Sequence, residues 1–371
     1  MGDFSTASLS DPSAELREAA GAAGLSYVSD DDPGFRRRKV GKGFTYLYPD
    51  GRRVTDRALL RRFRRLVIPP AWTDVWIGLR CDGHILATGR DARGRKQYIY
   101  HPEFRAVRDS AKYERLVDFA QLLPQIRETV SAHMSLRGLP REKVLATIVH
   151  LLEATLIRVG NEDYARQNKS YGLTTLRNPH VRVNGTELRF DFKGKSGKIW
   201  RLSVRDRRIA KVVRACQELP GQQLFQYVDS DGQRRGVTST DVNAYLREIT
   251  GCDVTAKDFR TWAGTVLAAR ALSQLGVSAS ATEAKRKIRA AITEVASRLG
   301  NTPTICRKCY VHPQILDGYL SGELVAECGE ADHAVTATAA LVDEEAAVLD
   351  LLCRRLAAAE GGVKTPVRTS A

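Results

Sequence analysis

The hydrophobic pattern of the chain changes once along its length, and this change most limits the folds open to it. Up to about residue 118, apolar residues come in short runs such as FTYLY, VWIGL and KQYIYH, with turn signals such as Asp50-Gly51 between them. Such runs are typical of antiparallel strands. Beyond that point the apolar spacing becomes helical, as between Val144 and Val159. We therefore predict a β-rich domain followed by a mainly helical one.

The expected fold class is α+β, with an N-terminal antiparallel β-sheet lobe and a mainly α-helical domain that contains a small three-stranded sheet. The small sheet is predicted from HVRV, TELRFDF and KIWRLSV, which Asn184-Gly185 and the KGKSG turn separate. Four segments are expected along the chain. They are a mobile acidic arm (1–33), the β-rich domain (34–118), the helical domain (119–330), and a C-terminal helix and tail (331–371).

The charge of the chain points to a polyanionic partner. Its formal net charge is +15 and its pI is near 9.6, although the first 33 residues hold one arginine against seven acidic residues. The excess of basic over acidic residues thus falls on the central part of the chain. An ordinary solvated surface would explain only a smaller excess. An excess of this size favours nucleic acid, and we expect double-stranded DNA as the partner.

Several other classes of protein are disfavoured. No apolar run approaches the roughly 20 residues needed to span a bilayer, and the first residues lack the pattern of a secretory signal. We expect a cytoplasmic, nucleoid-associated protein with no membrane role. Seven cysteines without a signal peptide indicate reduced thiols. Cys306 and Cys309 form a lone CxxC without a second ligand pair, so we predict packing residues and no metal site.

Six side chains of the helical domain together offer what phosphodiester transfer without a metal requires. That reaction needs a nucleophile, cations that stabilise charge on the phosphate oxygens, and an acid for the leaving oxygen. Taken singly, each side chain is more often a packing or surface residue. Their order and spacing carry the hypothesis. In chain order they are Arg158, Lys195, Lys257, Arg260, Asn301 and Tyr310.

The motifs around these residues resemble those of the type IB topoisomerases, in the compact form known from poxviruses and bacteria. KDFRT resembles the helix that bears the second catalytic arginine, here Arg260, with a lysine, here Lys257, three residues earlier. LGNTPTICRKCY resembles the segment that ends in the nucleophilic tyrosine, since Tyr310 follows Asn301 by nine positions. This resemblance implies a DNA topoisomerase, an isomerase that needs neither ATP, nor another cofactor, nor a metal.

Three further motifs extend the resemblance to about residues 35–325. IRVGN resembles the helix end with the first arginine, here Arg158, and FDFKGK resembles the strand and turn whose lysine, here Lys195, lies beside the scissile phosphate. RKQYIY resembles a strand that faces the major groove of DNA. The resemblance therefore implies DNA contacts at Gln97, Tyr98 and Tyr100.

The mechanism implied by the resemblance is transient cleavage of one strand. Tyr310 would form a 3′-phosphotyrosyl bond, the two arginines would hold phosphate oxygens bidentately, and Lys195 would protonate the 5′-oxygen with help from Lys257. Asn301 departs from poxviral and eukaryotic members, which have histidine there, and an uncharged amide should contribute less. The two domains would close around DNA as a monomeric clamp with salt-sensitive binding.

Two other functions would share some of these features. Tyrosine recombinases share the chemistry but usually have HxxR where this chain has Lys257 and Arg260, and their N-terminal part is helical. A DNA-binding protein without activity would explain the charge but not the ordered set of reactive groups. A P-loop is disfavoured, because GKS at 194–196 lacks the upstream glycine, which is Arg189 here. No nucleotide site is expected.

Overall fold

The computed structural model describes residues 12–324 and 341–361 and divides the chain into two compact units, Met1–Tyr113 and Glu114–Ala371. The α+β class predicted from the sequence is confirmed. No helix in the described ranges is long and apolar enough to cross a bilayer.

The N-terminal unit is built on one antiparallel sheet in the order β2-β1-β3-β4-β5. Its strands and its two complete helices are α1 (Pro12–Ala22), β1 (Gly34–Val40), β2 (Gly43–Leu47), α2 (Arg57–Arg65), β3 (Thr73–Gly78), β4 (Ile85–Arg90) and β5 (Lys96–Tyr100). The core forms on the sheet face that α2 covers with Phe63. Phe35, Ile77 and Ala87 lie on that face in cross-strand register, so the two-residue alternation seen in the sequence becomes one buried side.

Residues 1–33 were expected to form a mobile acidic arm, but the residues from 12 onwards have a defined structure. Residues 12–22 form α1, and the segment after it runs along the sheet, where Ser26 bridges Gly83. The Asp32 carbonyl accepts from the Trp76 indole at 2.9 Å and Asp30 pairs with Lys96 at 2.8 Å. These partners lie far away in sequence, which is why local composition did not reveal the order. Residues 1–11 fall outside the described part.

The second unit is mainly helical, as predicted. Its helices are α3 (Pro102–Met134), which starts in the first unit, α4 (Arg141–Thr155), α5 (Glu162–Asn168), α6 (Arg207–Glu218), α7 (Ser239–Thr250), α8 (Ala256–Gln274), α9 (Ala281–Leu299), α10 (Pro303–Cys309), α11 (Pro313–Ser321) and α12 (Asp343–Gly361). The boundary expected between residues 118 and 119 therefore falls inside α3. Of the C-terminal helix and tail expected over 331–371, residues 331–340 and 362–371 fall outside the described part, and α12 lies between them.

The predicted three-stranded sheet is confirmed, with the order β6-β7-β8. Its strands are β6 (Val181–Asn184), β7 (Glu187–Lys193) and β8 (Ile199–Arg205), and a separate two-stranded sheet pairs β9 (Gln226–Val228) with β10 (Arg234–Gly236). Leu188, Phe190 and Phe192 alternate with exposed residues along β7 and are buried. The sheet thus turns one face inwards and holds the β7–β8 turn, 194–198, at its end.

A buried ion-pair network attaches α12 to the helices around it. Glu345 accepts hydrogen bonds from both terminal nitrogens of Arg127, at 2.9 Å each, and from the indole nitrogen of Trp262 at 3.2 Å. Arg127 also donates to Glu153 at 2.8 Å. Since Trp262 belongs to α8 and Arg127 to α3, one carboxylate joins three helices. Glu345 is itself buried.

We expect Glu345→Ala to lower the free energy of unfolding by about 3 kcal/mol, because it leaves Arg127 and Trp262 buried with fewer acceptors. Denaturant unfolding followed by circular dichroism measures the loss. Asp350→Ala on the same helix is the control, since the pair of Asp350 with Arg354 is exposed and should contribute less than about 0.5 kcal/mol. Equal stability of the two variants would contradict the role of the network.

Candidate active site

The end of α4 turns sharply and thereby holds Arg158. Leu156 caps the helix in the left-handed conformation, at φ 57°, which a non-glycine residue adopts only at a cost. The Arg158 carbonyl then accepts the Leu173 amide at 2.9 Å. A Cβ on Gly172 would lie 2.4 Å from that same carbonyl oxygen, so the glycine allows the two segments to touch. The position of Arg158 is therefore fixed by backbone contacts.

Arg260 lies one turn into α8 and is buried, with 3% of its surface exposed. Its Nη1 donates to the Leu156 carbonyl and its Nη2 donates to the Leu299 carbonyl at 2.7 Å. Both carbonyls stand at helix C-termini, where backbone acceptors lack helical partners and carry partial negative charge. Its Nε is buried without a partner. One guanidinium thus joins the ends of α4 and α9 and keeps a free donor.

The surroundings of Arg260 destabilise its charged form. Burial, and next the positive charge of Arg158, lower the pKa of Arg260 to about 10. The group stays protonated at neutral pH, so two guanidinium groups repel each other in a poorly hydrated place. Such an arrangement favours an anion that would lie between them.

Tyr310 caps the C-terminus of α10, and its segment packs closely on α8. The Tyr310 amide donates to the Cys306 carbonyl at 2.9 Å. A Cβ on Gly264 would lie 2.4 Å from the Tyr310 carbonyl oxygen, so α8 carries a glycine where the two backbones meet. The guanidinium carbon of Arg260 lies 5.2 Å from the centre of the tyrosine ring. The helix that bears Arg260 therefore also packs against Tyr310, which is half-buried.

Asn301 follows the C-cap Gly300 of α9 and contacts Arg158. Its Oδ1 accepts from Arg158 Nη2, and its Nδ2 is buried without a partner. The carbonyl of Gly300 is a second, weaker acceptor for Arg158 at 3.4 Å. Asn301 thus orients Arg158 and has one amide donor left for another group.

The two predicted lysines, Lys195 and Lys257, have exposed side chains at the same cavity. Lys195 stands in the β7–β8 turn, and Lys257 stands in the first turn of α8. The cavity has a volume of about 290 Å³. Five of the six residues selected from the sequence line it, namely Arg158, Lys195, Lys257, Arg260 and Tyr310. Asn301 is not among the lining residues, but it contacts Arg158, which is one of them.

Sequence reasoning missed other residues that line the cavity, among them Tyr164, Ser170 and Tyr171. Tyr171 is tied to the sheet, because its amide donates to the Lys193 carbonyl at 2.8 Å. No periodicity marks these residues. The one sequence signal is Gly172, which directly follows two of them and allows the close contact with Arg158.

Cys306 is buried on α10, in agreement with the packing role expected for it. Burial raises the pKa of its thiol to about 11, which keeps the sulfur protonated at neutral pH. Cys309 is half-buried. Among the described residues, no three histidine, cysteine or acidic side chains cluster in a way that could hold a metal ion.

The three predicted DNA contacts of the N-terminal unit do not share one surface. Tyr98 and Tyr100 lie on the same face of β5 with parallel rings 5.7 Å apart, and Tyr98 is 41% exposed. Gln97 points to the opposite face, where the partly buried Ile99 packs against the core, and donates to Asp91 at 3.1 Å. The strand alternation therefore separates Gln97 from the two tyrosines.

Comparison with known proteins places the cavity in a family context. The model of the eukaryotic DNA topoisomerase I catalytic core matches residues 101–322, and the model of the bacterial DNA topoisomerase IB N-terminal domain matches residues 43–91. The family match to the catalytic core spans more than half of the chain and includes all six of the residues selected from the sequence.

Viral proteins are also similar over long stretches. A DNA topoisomerase 1B of Acanthamoeba polyphaga mimivirus is 32% identical over 293 residues, which are 77% of this chain and 87% of the viral protein. A DNA topoisomerase 1 of rabbit fibroma virus is 21% identical over 73% of the chain and 88% of its own length. The DNA topoisomerase 1B of vaccinia virus, strain Copenhagen, is 24% identical over 162 residues, about half of that protein.

Proposed function

The chain belongs to the type IB DNA topoisomerases, and we propose that it relaxes supercoiled duplex DNA by transient cleavage of one strand through Tyr310. The Tyr310 oxygen attacks phosphorus, the bond from phosphorus to the 5′-oxygen breaks, and a 3′-phosphotyrosyl bond forms. The DNA beyond the nick then rotates, and the 5′-hydroxyl attacks in the reverse step. The convergence of Tyr310, two arginines and two lysines on one cavity carries this proposal.

The arginines stabilise the charge that develops on the phosphate. Arg260 has a buried, unpaired Nε, and Asn301 has a buried, unpaired Nδ2. Buried donors without acceptors cost free energy, which a phosphate oxygen between them would recover. Arg158 adds a permanent charge that Asn301 and Gly300 orient. These groups bind the non-bridging oxygens more tightly as negative charge accumulates.

Proton transfer completes the reaction without a further reactant. The Tyr310 hydroxyl loses its proton to solvent water. Lys195, assisted by Lys257, gives a proton to the departing 5′-oxygen and regains one from solvent. One phosphodiester bond is exchanged for another of the same kind, so the energy for resealing is stored in the protein–DNA bond. This balance is why we propose that ATP takes no part. We propose that a metal ion takes no part either, because the arginines and lysines of the cavity supply the positive charge that the phosphate needs.

The rest of the chain is assigned by the same proposal. Residues 34–118 bind double-stranded DNA, residues 119–330 form the catalytic domain, and the protein acts on DNA as a monomeric clamp in the nucleoid. Tyr98 and Tyr100 share one face of β5, on which Tyr98 is exposed and Tyr100 half-buried, and this supports their contact with DNA. The hydrogen bond of Gln97 to Asp91 opposes a contact by Gln97. Asp30 pairs with Lys96, and Asp30 and Asp31 line one small cavity together with Lys96 and Arg36.

The direction of the covalent bond tests the proposal. The protein is incubated with a linear duplex in EDTA without nucleotide, and the mixture is denatured in detergent. A label at the 5′ end of the cleaved strand should stay on the protein, whereas a 3′ label should be released on a fragment with a free 5′-hydroxyl. Label transfer from the 3′ end, or a strict need for Mg²⁺, would refute it. Tyrosine recombinases give the same bond, so relaxation of a plasmid without recognition sites separates the two.

A substitution at Asn301 tests the electrostatic part of the site. Asn301→Ala removes one donor and should slow single-turnover cleavage about 10-fold. Asn301→Asp should slow it about 100-fold, because a carboxylate beside Arg158 neutralises that charge and repels the phosphate. Rapid-quench assays on one duplex measure both rates, and filter binding checks that DNA affinity is retained. An Asp variant as fast as the Ala variant would contradict this arrangement.

A further inference from the structure

Trp200 of β8 lies between the two segments that carry the proposed acid and the proposed nucleophile. The side chain is 92% removed from solvent, since 8% of its surface is exposed. A Cβ built on Gly194 would lie 2.7 Å from the five-membered ring of the indole, and a Cβ built on Gly300 would lie 2.8 Å from its six-membered ring. The indole therefore occupies the space that a side chain at either glycine would need.

The two glycines belong to different parts of the active site. Gly194 directly precedes Lys195 in the β7–β8 turn, and Gly300 directly precedes Asn301 at the corner between α9 and α10. Tyr310 ends α10. A rigid aromatic ring packed against both glycines sets the spacing between the turn and that corner. A change in the ring changes where Lys195 stands relative to Tyr310.

Other contacts hold the turn in the same place. The Phe192 ring lies parallel to the indole, within 3° and at 6.3 Å between centres. Lys198 in the turn donates from Nζ to the Ser297 carbonyl near the end of α9 at 2.8 Å. The turn itself closes through the Gly194 amide, which donates to the Lys198 carbonyl at 2.7 Å. The turn thus contacts the end of α9 through Lys198, and Trp200 packs between Gly194 of the turn and Gly300.

We propose that Trp200 is a positioning residue for proton transfer: it holds the turn of Lys195 at the correct distance from the scissile phosphate. This inference rests on the proposed role of Lys195 as the acid that protonates the 5′-oxygen. The alternative is a tryptophan that contributes only to folding. Misplacement of a reacting group by about 1 Å can slow a reaction about 100-fold, so the two roles differ measurably.

A substrate that does not need the acid distinguishes these roles. When sulfur replaces the bridging 5′-oxygen of the scissile phosphate, the leaving group is a thiolate, whose conjugate acid has a pKa of only about 8.5. Its departure needs no proton from the protein. A defect in acid positioning should therefore disappear on the sulfur substrate, whereas partial unfolding or a misplaced nucleophile should slow both substrates equally.

We expect Trp200→Ala to slow single-turnover cleavage of the oxygen substrate about 10- to 100-fold, and to cleave the sulfur substrate at nearly the wild-type rate. Trp200→Phe, which keeps an aromatic ring beside Phe192, should lose less. Lys195→Ala is the reference and should lose about 100-fold or more on oxygen, with recovery on sulfur. Ser203→Ala, an exposed change on the same strand, should behave as the wild type.

Gly194→Ala gives a second test that leaves Trp200 in place. Its φ of −93° is open to any residue, so the added methyl group acts only by pushing the indole or the turn. We expect the same loss on oxygen and the same recovery on sulfur. The cleavage rates of both substrates with one preparation also correct for inactive protein.

The outcomes separate the inference from the proposal beneath it. If Lys195→Ala recovers on sulfur but Trp200→Ala stays slow on both substrates, or is slow on neither, the inference about Trp200 is wrong and the role of Lys195 stands. If Lys195→Ala does not recover on sulfur, the assignment of Lys195 as the acid fails first. Selective recovery of Lys195→Ala, Trp200→Ala and Gly194→Ala supports both.

Discussion

Replacement of Tyr310 by phenylalanine is expected to abolish relaxation of a negatively supercoiled plasmid in EDTA without ATP. The change removes one oxygen atom, the proposed nucleophile, and keeps the ring that packs 5.2 Å from the Arg260 guanidinium. The proposed reaction uses no second nucleophile, so the rate should fall by more than about 10⁵-fold. Gel electrophoresis of the plasmid topoisomers measures this loss.

The controls for this prediction separate chemistry from binding and folding. Tyr310→Phe should bind duplex DNA with the affinity of the wild type, because the arginines and lysines are unchanged. Tyr319→Phe is the matched control, since the Tyr319 hydroxyl donates to Gly276 at 2.8 Å, and Tyr319 does not line the cavity. This variant should relax DNA. Relaxation by Tyr310→Phe would mean that another residue is the nucleophile, with Tyr164 and Tyr171 the next candidates.

The sequence was most informative where a motif and its local structure coincide. Residues far apart in the chain, such as Arg158 and Tyr310, were selected because each stands in a recognisable stretch, and the structure brings both to one cavity. The β-rich and helical parts followed from the change in apolar spacing. Such features depend on neighbours in sequence, which a single chain displays directly.

Features that depend on distant partners could not be predicted. Nothing near Arg260 in the sequence indicates that it is buried, because its acceptors are carbonyls of Leu156 and Leu299. Trp200 appeared only as one apolar residue of a strand, and its contact with Gly300 joins segments 100 positions apart. The order of residues 26–32 likewise depends on Trp76 and Lys96. In each case the deciding contact is tertiary.

Substitution of Arg260 should produce the second large effect, and lysine should not replace it. We expect Arg260→Ala to slow DNA cleavage about 10³-fold or more, because a buried guanidinium beside the phosphate stabilises the transition-state charge. Arg260→Lys introduces a side chain that is normally charged but should be largely neutral at this position. The burial and the nearby Arg158 that lower the pKa of Arg260 to about 10 should bring the lower pKa of a lysine there towards neutrality.

The pH dependence then distinguishes the two variants. Because the lysine gains its proton as pH falls, the cleavage rate of Arg260→Lys relative to wild type should rise from about pH 9 to about pH 6, by up to about 10-fold. The ratio for Arg260→Ala should stay flat. Arg354→Ala, which removes an exposed arginine of α12, is the control for loss of one positive charge and should cleave normally.

Folding is the main competing explanation, since Arg260 also satisfies the carbonyls that end α4 and α9. Thermal unfolding and duplex binding of each variant identify this effect, because a loss of folded protein would lower binding and cleavage together. A pH-dependent recovery of cleavage in Arg260→Lys alone, at constant binding, requires a charge that acts on the phosphate. An Arg260→Lys variant with wild-type activity at every pH would contradict both the lowered pKa and the need for the planar guanidinium.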